Sequence, residues 1–306
     1  MGACMNINVM ITINRLTSNL KNAILIALFL IASVKPVNAQ QNKSDMKNLI
    51  TSGYAPVNGL SMYYEIHGNG TMPLVLIHGG GSTIETTFGN TLQLFSNYGK
   101  VIAVELQAHG HTNDRNTPES FEQDADDVAA LLKYLKVDKA NILGFSNGAS
   151  TTMQIAIRHP EVVNKIVVIS GVYKRDGFIP GFFDGFPNAT LANMPEPLKE
   201  AYLKVAPDKN QLQTMFDKDV ARMENFKDWS DDALRSIKAP GLFIVAQHDV
   251  ITIAHTEQMA NLVQGAQLAI LPGVHGAFIG AAESGASKAS KLLGITVELV
   301  EEFLNG

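Results

Sequence analysis

A serine hydroxyl is a weak nucleophile near neutral pH, and it attacks a carbonyl only when a base within hydrogen-bond reach takes its proton. The stretch Gly144-Phe145-Ser146-Asn147-Gly148 places one serine between an apolar, strand-like run and a helix-forming run. Gly-x-Ser-x-Gly in that setting is the pattern of a tight strand-to-helix turn that presents the serine outward. The turn strains the serine backbone, and the residues two positions to either side must be nearly free of side chain for it to close. Of eight histidines, His275 is the best base: it follows a strand-like run, sits beside Gly273 and Gly276, and lies last in the chain. An imidazole base needs an acid to fix its tautomer and stabilise its charged form. Asp249, just beyond a run ending at Ala246, fits that role, with Asp176 after the preceding strand as the alternative. The negative oxygen formed on attack needs preorganised donors. The backbone N–H of Asn147, at a helix start where the dipole is favourable, and that of Gly80, in the loop after Ile77, are the candidates.

Other polar clusters read as structural. His78 orients its own loop, and His109-Gly110-His111 with Asp114 has the residue types of a zinc site but completes no set of ligands. The chemistry calls for no metal and no cofactor. Asn42-Lys43-Ser44 and Asn188-Ala189-Thr190 match the glycosylation pattern, which is frequent by chance.

These residues need a scaffold that brings distant segments together. Asn58-Gly59 between strand-like runs predicts a β-hairpin from Tyr54 to Ile66. Short continuous apolar runs at 73–77, 101–104, 142–145, 165–170, 241–246 and 268–271 predict strands buried on both faces, as in a parallel sheet. Helices are expected between them: 119–135, with Asp124, Asp126 and Asp127 facing solvent in its early turns; from Ser146 to the break at Pro160; 253–263; and 284–304. Alternating strands and helices imply one α/β domain with a mostly parallel central sheet flanked by helices. Residues 172–236 interrupt the rhythm with Phe178, Phe182, Phe183 and Phe186 among glycines and prolines. An insert of that length is expected to be a small cap over the site, and its phenylalanines serve either to pack it down or to shape a binding surface.

The first 39 residues stand apart. Arg15 and Lys21 precede an apolar run from Ala23 to Val34, followed by Val37-Asn38-Ala39, the layout of a cleaved signal peptide. Export, to a periplasm or outside the cell, is the expectation, with 40–306 as the working domain. A run of about a dozen apolar residues is short for a bilayer, so no stable membrane anchoring is expected after cleavage. Removal of Arg15, Lys21 and Lys35 would leave 21 basic and 29 acidic residues, a formal charge of −8. That balance gives no reason to expect nucleic acid as a partner. The single cysteine, Cys4, would leave with the signal, so stability would rest on the core without disulfides.

With these parts in view the chain resembles the α/β-hydrolase superfamily, in particular its capped esterase- and lactonase-like members. The resemblance runs over nearly all of 40–306 and rests on His78-Gly79-Gly80, the turn at Ser146, Asp249 and His275. Many members have Asp-x-x-Gly-His-Gly-x-Ser where this chain reads Glu105-Leu106-Gln107-Ala108-His109-Gly110-His111-Thr112, a departure in a stretch that is usually structural. The resemblance implies a serine hydrolase that cleaves a carboxylic ester or lactone through an acyl-enzyme, with a small-molecule acyl substrate as its partner. An amide or carbon–carbon bond cleaved by the same triad, or a ligand sensor without turnover, are the alternatives.

Overall fold

The computed structural model describes residues 49–287 and 290–306; the expected signal peptide lies outside the described residues. The chain opens with a hairpin of β1 (Leu49–Val57) and β2 (Leu60–His67). Its two-residue turn has positive φ at both Asn58 (46°) and Gly59 (83°), the backbone that joins strands with matching twist. Strands β3 (Leu74–Ile77), β4 (Val101–Val104), β5 (Ala140–Phe145), β6 (Val163–Ile169), β7 (Gly241–His248) and β8 (Gln267–Val274) follow. All eight form one sheet in the order β1-β2-β4-β3-β5-β6-β7-β8. Only the pairings of β2, to β1 and to β4, are antiparallel. Every residue of β3, β4 and β5 is buried, which is why these strands read as unbroken apolar runs rather than alternating ones.

Helices cover both faces. On one side α1 (Ile84–Phe88), α2 (Leu92–Ser96) and the C-terminal α9 (Lys291–Asn305) bury Phe88, Phe95, Val297 and Val300 against the sheet. On the other, α3 (Phe121–Tyr134), α4 (Asn147–Arg158) and α8 (Ile253–Leu262) contribute Val128, Leu131, Met153 and Met259. The helix expected over 284–304 starts only at Lys291, after a 3-10 turn at Ala282–Ser284 and a left-handed Gly285. Of the aspartates assigned to the solvent side of α3, Asp124 and Asp127 are buried, because each meets an arginine from another segment, Arg222 and Arg115. Helical periodicity locates a face but not what covers it.

Between β6 and β7 the chain builds a cap. It contains a 3-10 segment at Phe182–Asn188 and three helices, α5 (Glu196–Val205), α6 (Leu212–Glu224) and α7 (Asp231–Arg235). The cap packs on the body through two apolar groups. Met194, Leu198, Leu212 and Met215 meet Ala108, while Phe178, Met223 and Phe226 meet Phe121, Val245 and Ile251. Phe178 stacks on Phe182 with ring centroids 4.1 Å apart.

The strand order explains where a site can form. β3 connects outward to β4, and the chain then crosses back over β3 to β5 and proceeds the other way to β8. The switch point between β3 and β5 leaves a crevice beyond their carboxyl ends, under the cap.

Candidate active site

At the end of β5 the backbone turns at Ser146, which has φ 55° and ψ −119°, a conformation that costs a non-glycine residue about 1–3 kcal/mol. The turn closes because backbone meets backbone around it. A Cβ on Gly144 would lie 2.0 Å from the carbonyl oxygen of Gly148, and one on Gly148 would lie 2.2 Å from that of Ile77 at the end of β3. The two glycines therefore let the turn at Ser146 dock against the loop after the neighbouring strand.

His275, one residue past β8, places Nε2 3.1 Å from Ser146 Oγ. Its Nδ1 is 2.6 Å from Asp249 Oδ1, so Nδ1 carries a proton and Nε2 presents its lone pair to the serine hydroxyl. Asp249 also accepts from Ser170 Oγ at 2.6 Å and from the N–H groups of Ala246 (3.1 Å) and Ile251 (3.2 Å). Burial by itself would raise this carboxyl, but the hydrogen bond and charge of His275, with the Ser170 and Ile251 donors, hold it below its ordinary range. The alternative acid, Asp176, is 80% exposed in its side chain and lies near His255, with 4.0 Å to Nδ1. Ser170, at the end of the strand that would have carried an earlier acid, instead orients Asp249. Nothing in its own sequence context marks it for that task.

Gly80 and Asn147 line one cavity together with Ser146, Ser170 and His275. Asn147 is the first residue of α4, where the backbone N–H has no partner within the helix. The cavity holds about 490 Å³ and is walled largely by cap residues, among them Phe178, Phe182, Phe186, Met194, Leu198 and Met215. The cap phenylalanines thus both pack the insert and face the space above Ser146.

A second group of polar residues joins the cap to the body. His78 and His109 have ring centroids 4.9 Å apart, and their partners put them in opposite states. His78 donates from Nδ1 to the Gly79 carbonyl (2.7 Å) and accepts at Nε2 from the Leu106 N–H (3.1 Å), so it is neutral. Burial, reinforced by the charge of His109, pushes it down to about 3. His109 Nδ1 faces the Gln107 carbonyl at 2.7 Å, and Nε2 lies 3.0 Å from Asp219 Oδ2 of α6 and 3.2 Å from the Gly81 nitrogen; with the Gly81 N–H given to Asp219, both imidazole nitrogens carry protons toward acceptors. Burial opposes that charge, yet the Asp219 carboxylate raises it to about 9. Asp219, which burial alone would raise, is held at about 2 by His109 and Arg222. One turn along α6, Arg222 pairs with Glu119 (2.6 Å) and Asp124 (2.9 Å). Burial lifts Glu119 to about 7 against the attraction of Arg222. The residues with zinc-like types diverge instead of converging: His111 turns to Glu105 at 2.9 Å and Asp114 to Lys218 at 2.6 Å. Among the described residues no group of three or more His, Cys, Asp or Glu is arranged to hold a metal ion. Asp219 and Arg222 escaped the sequence reading, although charged residues on the Leu212, Met215, Met223 stripe of an amphipathic helix are themselves a signal of buried pairing.

A family model described as alpha/beta hydrolase fold matches residues 72–213. The chain has the α/β-hydrolase fold. Serine hydrolase BPHL of Homo sapiens is 34% identical over 123 residues, which cover 39% of this chain and 42% of that protein. The chain spans about half the length of the curated relatives it matches. Among solved structures, the enol-lactonase from Burkholderia xenovorans LB400 superposes with a TM-score of 0.64 at 21% identity, over 83% of this chain and all (100%) of that one. The meta-cleavage product hydrolase from Pseudomonas fluorescens IP01 gives 0.68 at 21% identity, over 84% and 98%. At such identities the likeness is one of fold.

Two outcomes follow from this geometry. Gly148→Ala forces a Cβ into the β3 carbonyl and should destabilise the protein by more than about 2 kcal/mol, read from urea denaturation. Glu119 keeps a proton in the folded state that the unfolded chain releases near 4.5, so its contribution is complete below 4.5 and is lost as pH rises through about 7. Relative to wild type, Glu119→Gln should therefore gain stability between about pH 5 and about pH 8, measured as the difference in denaturation midpoints at the two values.

Proposed function

We propose that this chain is a serine hydrolase that cleaves a carboxylic ester or lactone through an acyl-enzyme. The observation that carries the reading is the continuous hydrogen-bond chain from Ser146 Oγ through His275 to Asp249, opening into a cavity of about 490 Å³ with a mainly apolar wall. In this mechanism Ser146 attacks the carbonyl carbon while His275 Nε2 takes the hydroxyl proton. Asp249 stabilises the resulting imidazolium, and the N–H groups of Asn147 and Gly80 hold the oxyanion. The proton on Nε2 passes to the leaving oxygen as its bond to the acyl carbon breaks. Water, deprotonated by the same nitrogen, then releases the acid and restores the serine.

The cavity wall bears on substrate class. Its titratable lining residues are Asp219, His275 and Glu283, with no lysine or arginine among the described residues that line it. Burial raises the Glu283 carboxyl. A substrate carrying its own carboxylate would find no free cation on this wall, since His109 is already paired with Asp219, and burying its unpaired charge would cost binding energy. The wall supports neutral acyl groups of mainly apolar surface. Export belongs to the same reading and rests on the charge and apolar pattern of residues 1–39.

Ser146→Ala should abolish both hydrolysis of short p-nitrophenyl esters and labelling by a fluorophosphonate; retention of either in a pure variant would sink the assignment. Among esters of equal reactivity, replacing the end of the acyl chain by a carboxylate should lower kcat/KM by about 10-fold or more, equivalent to about 1.4 kcal/mol. N-terminal sequencing of the protein recovered from its natural compartment should begin at residue 40.

A further inference from the structure

We infer that the cap completes the oxyanion hole: Asp219, carried on α6, is a positioning residue that holds the loop of Gly80 and Gly81 against Asn147. The inference rests on the serine hydrolase reading of the same site and adds to it a residue from outside the hydrolase body.

The contacts converge on the loop. Gly81 donates its backbone N–H to Asp219 Oδ2, and Asn147 Nδ2 lies 3.4 Å from Asp219 Oδ1. A Cβ built on Gly80 would sit 2.5 Å from Asn147 Nδ2 and 3.4 Å from Asp219 Oδ2. The carboxylate, the amide and the Gly80 backbone thus share one contact. Gly79, Gly80 and Gly81 have no side chains with which to fix their own peptide planes, and rotation of one plane would turn an N–H away from the substrate. The Asp219 bond ties down the peptide that links Gly80 to Gly81, and so fixes one end of Gly80, whose own N–H lies in the adjoining Gly79–Gly80 peptide; an oxyanion donor is useful only if it is already aimed when charge develops.

A bare carboxylate so near a developing oxyanion would oppose it. His109 removes that objection. It is fixed to the body by its Nδ1–H bond to Gln107, and it meets Asp219 with an imidazolium, so the pair is formally neutral. Asp219 is also distinct from the other members of the ionic cluster. It lines the cavity, whereas Arg222, Glu119 and Asp124 do not, and those three suffice to pin α6 to α3. Anchoring the cap does not require a carboxylate at the reaction face.

The test compares full-length Asp219→Ala and Asp219→Asn with wild type. It reads kcat and KM for p-nitrophenyl butyrate, affinity for an alkyl boronic acid that forms a tetrahedral adduct on Ser146, and fluorescence of Trp229, the only tryptophan, packed at the base of the cap. Asp219→Ala should lower kcat by about 10-fold or more and weaken the boronic acid in parallel, with KM changed less than about 3-fold. The Trp229 spectrum should stay native. Asp219→Asn, which keeps an acceptor for the Gly81 N–H, should recover most of kcat. If the alanine variant does not fold, Asp219→Leu, which fills the volume without an acceptor, takes its place with the same expectation. A rise in KM at unchanged kcat, or equal loss in the asparagine variant, would overturn the positioning role while leaving Ser146 as nucleophile. A wild-type protein that takes no fluorophosphonate label would overturn the hydrolase reading and this inference with it.

Discussion

The site depends on one close approach of backbone to backbone. Gly148, in the first turn of α4, lies so near the carbonyl of Ile77 that no side chain fits between them. That contact joins the ends of β3 and β5 at the switch point of the sheet. It holds Ser146 in its strained conformation, and it brings the glycine loop after β3 beside the Ser146 side chain. Strain of this size persists only where the surrounding structure over-determines it. Here the surroundings are two fully buried parallel strands and the helix that caps them. Asp249 and His275 arrive from β7 and β8, respectively, at the same edge because parallel strands deliver all their carboxyl ends to one side.

The neighbouring histidines His78 and His109 illustrate how partners rather than residue type decide charge. Both are buried, yet one is given a donor and an acceptor and stays neutral, while the other is given two acceptors and is charged. The charged one meets a carboxylate from the cap. Because both members of that pair are removed from water, each requires the other: an unpaired survivor would be costly to bury. The cap is therefore attached through a polar cluster whose members are specific to one docking geometry, with the apolar contacts around it supplying most of the burial.

The cap performs two tasks with separate residues. Phe178, Phe182 and Phe186 supply the wall above Ser146 and pack on one another. Arg222, paired with Glu119 and Asp124, fixes where that wall stands, and Asp219 reaches from it to the Gly81 N–H. A wall of rigid aromatic rings set at a defined height defines a cavity shape, and shape is what separates members of a fold that share their chemistry.

Local sequence determined the strands, the helix starts and the nucleophile turn. The unbroken apolar runs of β3, β4 and β5 are strands covered on both faces, whereas the run at 268–271, expected to be the same, lies in the edge strand β8 with Leu268 and Ile270 exposed because no strand pairs beyond it; Gly144 and Gly148 flank a serine for a steric reason that needs no distant information. The order serine, aspartate, histidine along the chain also put Ser146, Asp249 and His275 forward as a set, with Gly80 and Asn147 beside them. Tertiary structure alone decided which charges meet. Asp124 and Asp127 sit on a helix face that looks solvated by periodicity, and only the approach of Arg222 and Arg115 from other segments buries them. Asp219, 110 residues from His109, and Ser170, 79 from Asp249, carry no motif, because the bond each makes exists only once the cap and sheet have closed around it.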